Sequence, residues 1–142
     1  MSRSGYDDEC DNWQLVMYRG AVNSALRGQR GQRFLRELVE ALEALPERRL
    51  VEGDFEVEGS YCALGALGQR RGLDLSDLDP EDARSVAERF DIAESLAREV
   101  VYINDEKLLW PRGNEGQERR WEIVHSWAKS HIKPEEKHDG KT

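Results

Sequence analysis

The stretch Gln32-Arg33-Phe34-Leu35-Arg36-Glu37-Leu38-Val39-Glu40-Ala41-Leu42-Glu43-Ala44-Leu45 decides the fold. Phe34, Leu35, Leu38, Val39, Leu42 and Leu45 recur at spacings of three and four, the period of a helix with one buried face. Arg36, Glu37, Glu40 and Glu43 fall on the wet side. Pro46 ends the helix, because the residue before a proline is pushed out of the α region.

Towards the N-terminus, Asp11 or Asn12 can cap an earlier helix that runs to about Leu26. Trp13, Val16, Met17, Gly20, Ala21, Ser24 and Ala25 fit its buried stripe, with the small residues allowing close approach of a neighbour. Gly28 is the expected stop and Gly31 a second break. Met1–Cys10 reads as flexible.

Towards the C-terminus, Arg48–Glu58 reads as extended, with strand formers Leu50, Val51, Phe55 and Val57 and a turn at Gly53-Asp54. Such a small hairpin needs helices to lie on. Ser60 can cap a helix from Tyr61 to about Arg71, closed by Gly72. Its residues Cys62, Ala63, Leu64, Ala66 and Leu67 are so uniformly apolar or small that it should be the most buried helix. Gly65 and Gly68 weaken helix propensity there, which close packing would offset. After the acidic loop Leu73–Asp79, Asp79-Pro80 starts a short helix to Phe90. Asp91 can cap the next, with Ile92, Leu96, Val100 and Ile103 inward and an end near Asn104-Asp105. A loop over Leu108–Gly116 leads to a last helix, Gln117–Ile132, with the stripe Trp121, Val124, Ala128 and Ile132. The expected fold is mainly α: a compact single-domain bundle of about five to six helices with a small β-hairpin, from a flexible segment 1–10 through a helical domain 11–132 to a disordered charged tail 133–142.

The composition limits the chemistry. One domain suits 142 residues, and 29 acidic against 21 basic residues give a net charge of −8. That sign argues against general coating of duplex DNA, which rests on phosphate neutralisation. No apolar run approaches the roughly 20 residues of a membrane helix, and no apolar signal segment opens the chain. Cys10 lies among carboxylates that disfavour a thiolate, and Cys62 reads as a small buried hydrophobe. His125 and His131 point to different helix faces, and paired-cysteine and His-Glu-x-x-His patterns are missing, so neither a metal nor a cofactor is expected. Asp74, Asp77 and Asp79 resemble half a calcium loop without its glycine and closing glutamate. No phosphate-binding glycine loop, nucleophile elbow or kinase-like set occurs.

Three features bear on function. Arg19, Arg27, Arg30, Arg33 and Arg36 give +5 with no acid among them, leaving −13 on the other 124 residues. Such segregation makes a local positive field suited to RNA, a phosphate-bearing ligand or an acidic protein surface; the alternative is pairing with the chain's own surplus acids. Asn104, Asp105 and Glu106 place carboxylates at a helix C-terminus, where the macrodipole opposes them. They either mark a site, including an acid/base site on Asp105 or Glu106, or cap the backbone. Trp110, beside Pro111 in a loop, is the best candidate for an exposed contact tryptophan, with packing onto the core as the alternative.

Tyr61-Cys62-Ala63-Leu64-Gly65, then Ile103-Asn104-Asp105, then Trp121-Glu122-Ile123-Val124 resemble, in that order, a set of small phage and prophage proteins. These share a Cys-x-Leu-Gly helix and a later Asn-Asp pair. Ser2-Arg3-Ser4-Gly5-Tyr6 and Asp11-Asn12-Trp13 look like one subgroup, and Glu106-Lys107 stands where a glycine is usual. The resemblance spans roughly residues 2–132. The resemblance implies a cytoplasmic accessory protein made during infection or from a mobile element, of a kind that often binds host proteins, defence systems included. The leading expectation is a non-enzymatic module that binds a host protein through its acidic surface. The competing expectation is an anion-binding protein, for RNA or a nucleotide-like ligand, built on Arg27, Arg30, Arg33 and Arg36.

Overall fold

The stripe on Gln32–Leu45 lies at the centre of the molecule. A computed structural model describes residues 12–106 and 113–134. In these the chain forms helices α1 (Asn12–Arg27) and α2 (Gln29–Ala44), strands β1 (Glu56–Val57) and β2 (Ser60–Tyr61), and helices α3 (Ala63–Arg71), α4 (Ala83–Phe90), α5 (Glu94–Asp105) and α6 (Gly113–His131). Phe34, Leu35, Leu38 and Leu42 of α2 are at most 1% exposed, which stabilises the fold by roughly 1.5–3 kcal/mol for each side chain. α2 packs on α6, α3 and α1; α5 packs on α4, α1, α6 and α3. Ile92, Leu96, Val100 and Ile103 face the same core as expected. The result is a mainly helical, compact single domain with one two-stranded antiparallel sheet.

Two glycines act by what they lack. Gly31 is not a break but lies inside α2, and a Cβ there would fall 1.9 Å from the Ala25 carbonyl oxygen. Gly28 alone separates α1 from α2, so the close crossing at Gly31 lets the two helices fold back after one residue. Gly65 plays the same part in α3, where a Cβ would meet the Phe55 oxygen at 2.0 Å. α3 is buried from Ala63 through Gly68, as its apolar composition requires.

The buried face of α1 differs from expectation. Val22 and Leu26 are its core residues, whereas Val16 is 62% and Met17 57% exposed. Gly20, Ala21 and Ser24 are also exposed, Ala25 is half-buried, and the Trp13 side chain lies outside the described residues. Val22 and Leu26 stand one turn apart on the same face of α1, and that face meets the core while the Val16–Met17 side stays in solvent.

The hairpin turn is also displaced. Glu56 pairs with Tyr61 and Val57 with Ser60. The turn is Glu58-Gly59, whose positive φ values of 53° and 84° are those of a type I′ turn. Gly53, at φ 90°, bends the approach to β1 instead. Ser60 is therefore a strand residue, and Cys62 caps α3 by accepting the Gly65 N–H on Sγ at 3.3 Å. Asp82, not Asp79, caps α4, while Asp79 accepts the Glu81 N–H in a turn of its own. Asp91 closes α4 in the left-handed region, and Ala93 begins α5 without a side-chain cap. The last helix starts earlier than expected, at Gly113.

Lys133, expected in a disordered tail, is docked: its N–H donates to Gln32 Oε1 and its Nζ to the Arg27 carbonyl, each at 2.8 Å. The expectations for segment 1–10, Asp11, Trp110 and the tail from 135 onward lie outside the described residues. No described helix is long and apolar enough to cross a membrane.

Gly31→Ala is expected to cost about 2–3 kcal/mol through overpacking against Ala25. Gly20→Ala, where a Cβ meets nothing within 4 Å, should gain about 0.5–1 kcal/mol. Urea unfolding midpoints of the two variants check both signs.

Candidate functional site

Asn104, near the end of α5, is 1% exposed and makes every side-chain bond inside the protein. Its Oδ1 accepts the Ala63 N–H at 3.0 Å, and its Nδ2 donates to the Val51 carbonyl at 2.9 Å and to Asp105 Oδ1 at 2.8 Å. Asp105 Oδ1 also accepts the Gly53 N–H at 3.2 Å. Arg120, 7% exposed, donates to the Asn104 and Leu50 carbonyls and to Glu52. A cation against the last carbonyls of α5 offsets the adverse dipole there. Asn104 and Asp105 thus join the hairpin approach to α3, α5 and α6. They are structural in position, and none of the concavities described below is lined by Asn104, Asp105 or Glu106.

That junction holds the hairpin beside the 73–80 loop, and between them lies a concavity of about 480 Å³. Phe55, Tyr61, Leu73, Leu75 and Leu78 give it an apolar floor. Asp54, Glu56 and Asp74 stand on its rim, and no Lys or Arg is among the residues that line it. The bare backbone at Gly65 lets the Phe55 segment settle close enough to form one wall. Asp74 is held below the usual carboxylate range by the Ser76 hydroxyl and N–H. Asp77 is held down by Arg89, and Asp82 by Ser85. These groups stay ionised. The signal for this site is visible in the chain: Glu52–Glu58 and Asp74–Asp82 carry nine acids and no Lys or Arg. Only the hairpin fold brings the two runs together.

The five arginines of the basic run separate. Arg19 pairs with the buried Glu99, and Arg30 with Asp91 at 3.1 Å. Arg27, Arg33 and Arg36 instead line an open concavity of about 530 Å³ with Gln29, Gln32 and Lys133. Gln32 secures this corner, donating to the Leu26 carbonyl at 2.7 Å and the His131 carbonyl at 2.9 Å while accepting from Lys133. Lys133, 97 residues beyond Arg36, was not legible as a member.

On a third face, the Trp121 indole N–H donates to the Leu42 carbonyl at 3.0 Å. Its ring is stacked on His125 at 4.4 Å, with the Arg48 guanidinium 4.5 Å from its centroid. His125 Nε2 meets Glu43 at 2.8 Å, and this bond holds the Glu43 carboxyl below its usual range. Among the described residues no three His, Cys, Asp or Glu side chains converge as metal ligands. Comparison with protein families, characterised proteins and solved structures finds no match to this chain.

Asn104→Ala leaves the Ala63 N–H and the Val51 carbonyl without their partner and should cost about 2–4 kcal/mol in urea unfolding. The acid limb of stability follows from the depressed carboxylates. Asp74, Asp77, Asp82 and Glu43 bind protons less readily folded than unfolded. Their contribution is therefore full above about pH 5 and is lost as the pH falls through the ordinary carboxylate range to the lower folded-state values. A double Ser76→Ala, Ser85→Ala variant should show a shallower decline of melting temperature with acid than the parent.

Proposed function

We propose that this protein is a non-catalytic binding module that takes an extended, basic and partly apolar protein segment into the concavity between the hairpin and the 73–80 loop. The observation that carries the reading is the pairing of an apolar floor with a rim of Asp54, Glu56 and Asp74, none of which forms an ion pair with a Lys or Arg among the described residues. Burial of apolar side chains from the partner supplies affinity, and its cations supply steering and register. Concave sites with an apolar lining and a few oriented polar groups are the usual places for ligands. The resemblance to small phage proteins supports an accessory role in a host cytoplasm, with the basic segment belonging to a host protein.

A fluorescent peptide of alternating Lys and Leu tests the reading by anisotropy. It should bind at low salt and weaken as salt rises. Asp54→Lys with Glu56→Lys should weaken it roughly tenfold or more. Glu88→Lys with Glu122→Lys, an equal charge change away from the concavity, should leave affinity nearly intact. Equal loss in both variants, or no binding by the parent protein, defeats the proposal.

A further inference from the structure

The corner where α1, α2 and the end of α6 meet concentrates positive charge without compensation. The chain has a surplus of acids, so carboxylate partners are plentiful. Arg19, Arg30, Arg49, Arg70, Arg71, Arg89, Arg98 and Arg120 all pair with one. Arg27, Arg33 and Arg36 have no carboxylate within ion-pair distance among the described residues, yet they share one concavity with Lys133. Among the described residues Glu37 is the only acid lining it, and its charge is committed to Arg71 at 2.6 Å.

The corner is also built before any ligand arrives. Gln29, Gln32, Arg33 and Arg36 follow helical spacing on one face of α2. Gln32, 6% exposed, is locked by three hydrogen bonds to the ends of α1 and α6. Lys133 Nζ is oriented by its bond to the Arg27 carbonyl and keeps two further N–H donors. Four cations gathered in one depression repel one another, and a multiply charged anion relieves that repulsion. Guanidinium groups match phosphate oxygens as flat, two-pronged donors.

We infer that this corner is a binding site for a compact, multiply charged phosphate group, formed by Arg27, Arg33, Arg36 and Lys133. Among the described residues no aromatic side chain lines it, so these supply no stacking surface of the kind by which single-stranded nucleic acid is held. The four cations share one depression, which suits a short polyphosphate, free or carried on a small molecule. The inference is independent of the acidic concavity, and neither test bears on the other.

Isothermal titration of the full chain with inorganic pyrophosphate tests it. Binding at low salt that weakens with added salt is expected. Arg33→Glu with Arg36→Glu should lower affinity at least tenfold. Arg84→Glu with Arg119→Glu, exposed positions outside the corner, should change it less than twofold. Should the first variant fail to fold by circular dichroism, Arg33→Gln with Arg36→Gln serves in its place and should also weaken binding. A labelled single-stranded RNA oligonucleotide forms the second arm. RNA binding that pyrophosphate does not displace overturns the inference, as does an equal loss in both charge-reversed variants or no pyrophosphate binding by the parent.

Discussion

The Asn104 side chain is the point on which the hairpin end of the molecule depends. It holds the Val51 carbonyl with its amide hydrogens and the Ala63 N–H with its oxygen, and so spans α5, the strand approach and the first residue of α3. Arg120 completes the arrangement from α6, donating to the Asn104 and Leu50 carbonyls. A buried polar cluster of this kind is favourable only when every member is satisfied, and then it specifies one geometry. Here that geometry carries Phe55 onto α3, where the absence of a Cβ at Gly65 admits it. The acidic concavity exists because of this chain of contacts, and its rim carboxylates add local bonds: Asp54 accepts the Phe55 N–H and Asp74 the Ser76 N–H and hydroxyl.

Charge is divided between the two ends of the design. The hairpin and the 73–82 segment hold carboxylates whose cation partners are few, with Arg89 serving Asp77 and Arg120 serving Glu52. The junction of α1, α2 and α6 holds the opposite sign. Both surfaces keep groups outside the ion pairs that eight of the described arginines form. Surface pairs of that kind are worth little individually, so their absence at these two places costs the fold little stability. It leaves each region with an uncancelled field that reaches into solvent over about a Debye length.

The long amphipathic elements were readable because apolar side chains at helical spacing have one economical arrangement. Phe34 to Leu42 and Ile92 to Ile103 face inward as their periods require. α1 carries apolar residues on two faces, Val16 and Met17 on one and Val22 and Leu26 on another, and only its tertiary partners decide that the second is buried. The caps were misjudged for a related reason. A serine or aspartate that can start a helix can equally close a turn, and Asp79 does the latter. Gly53-Asp54 looks like a hairpin turn, but the strands close at Glu58-Gly59, where a glutamate accepts a left-handed conformation. At the candidate sites, the basic run was visible as composition. Which arginines pair, and that Lys133 joins them, depends on contacts between positions far apart in the chain.

Cys62 gives one further consequence. Its sulfur lies 1% exposed beneath the start of α3 and is occupied in accepting the Gly65 N–H. A thiol reagent reaches it only when the helix start lifts off Phe55 and the Asn104 bond opens. The rate of covalent labelling at this position therefore reports openings that expose the hairpin junction, local ones as well as global unfolding. An occupant of the acidic concavity that clamps the hairpin to α3 would slow that labelling without touching the sulfur.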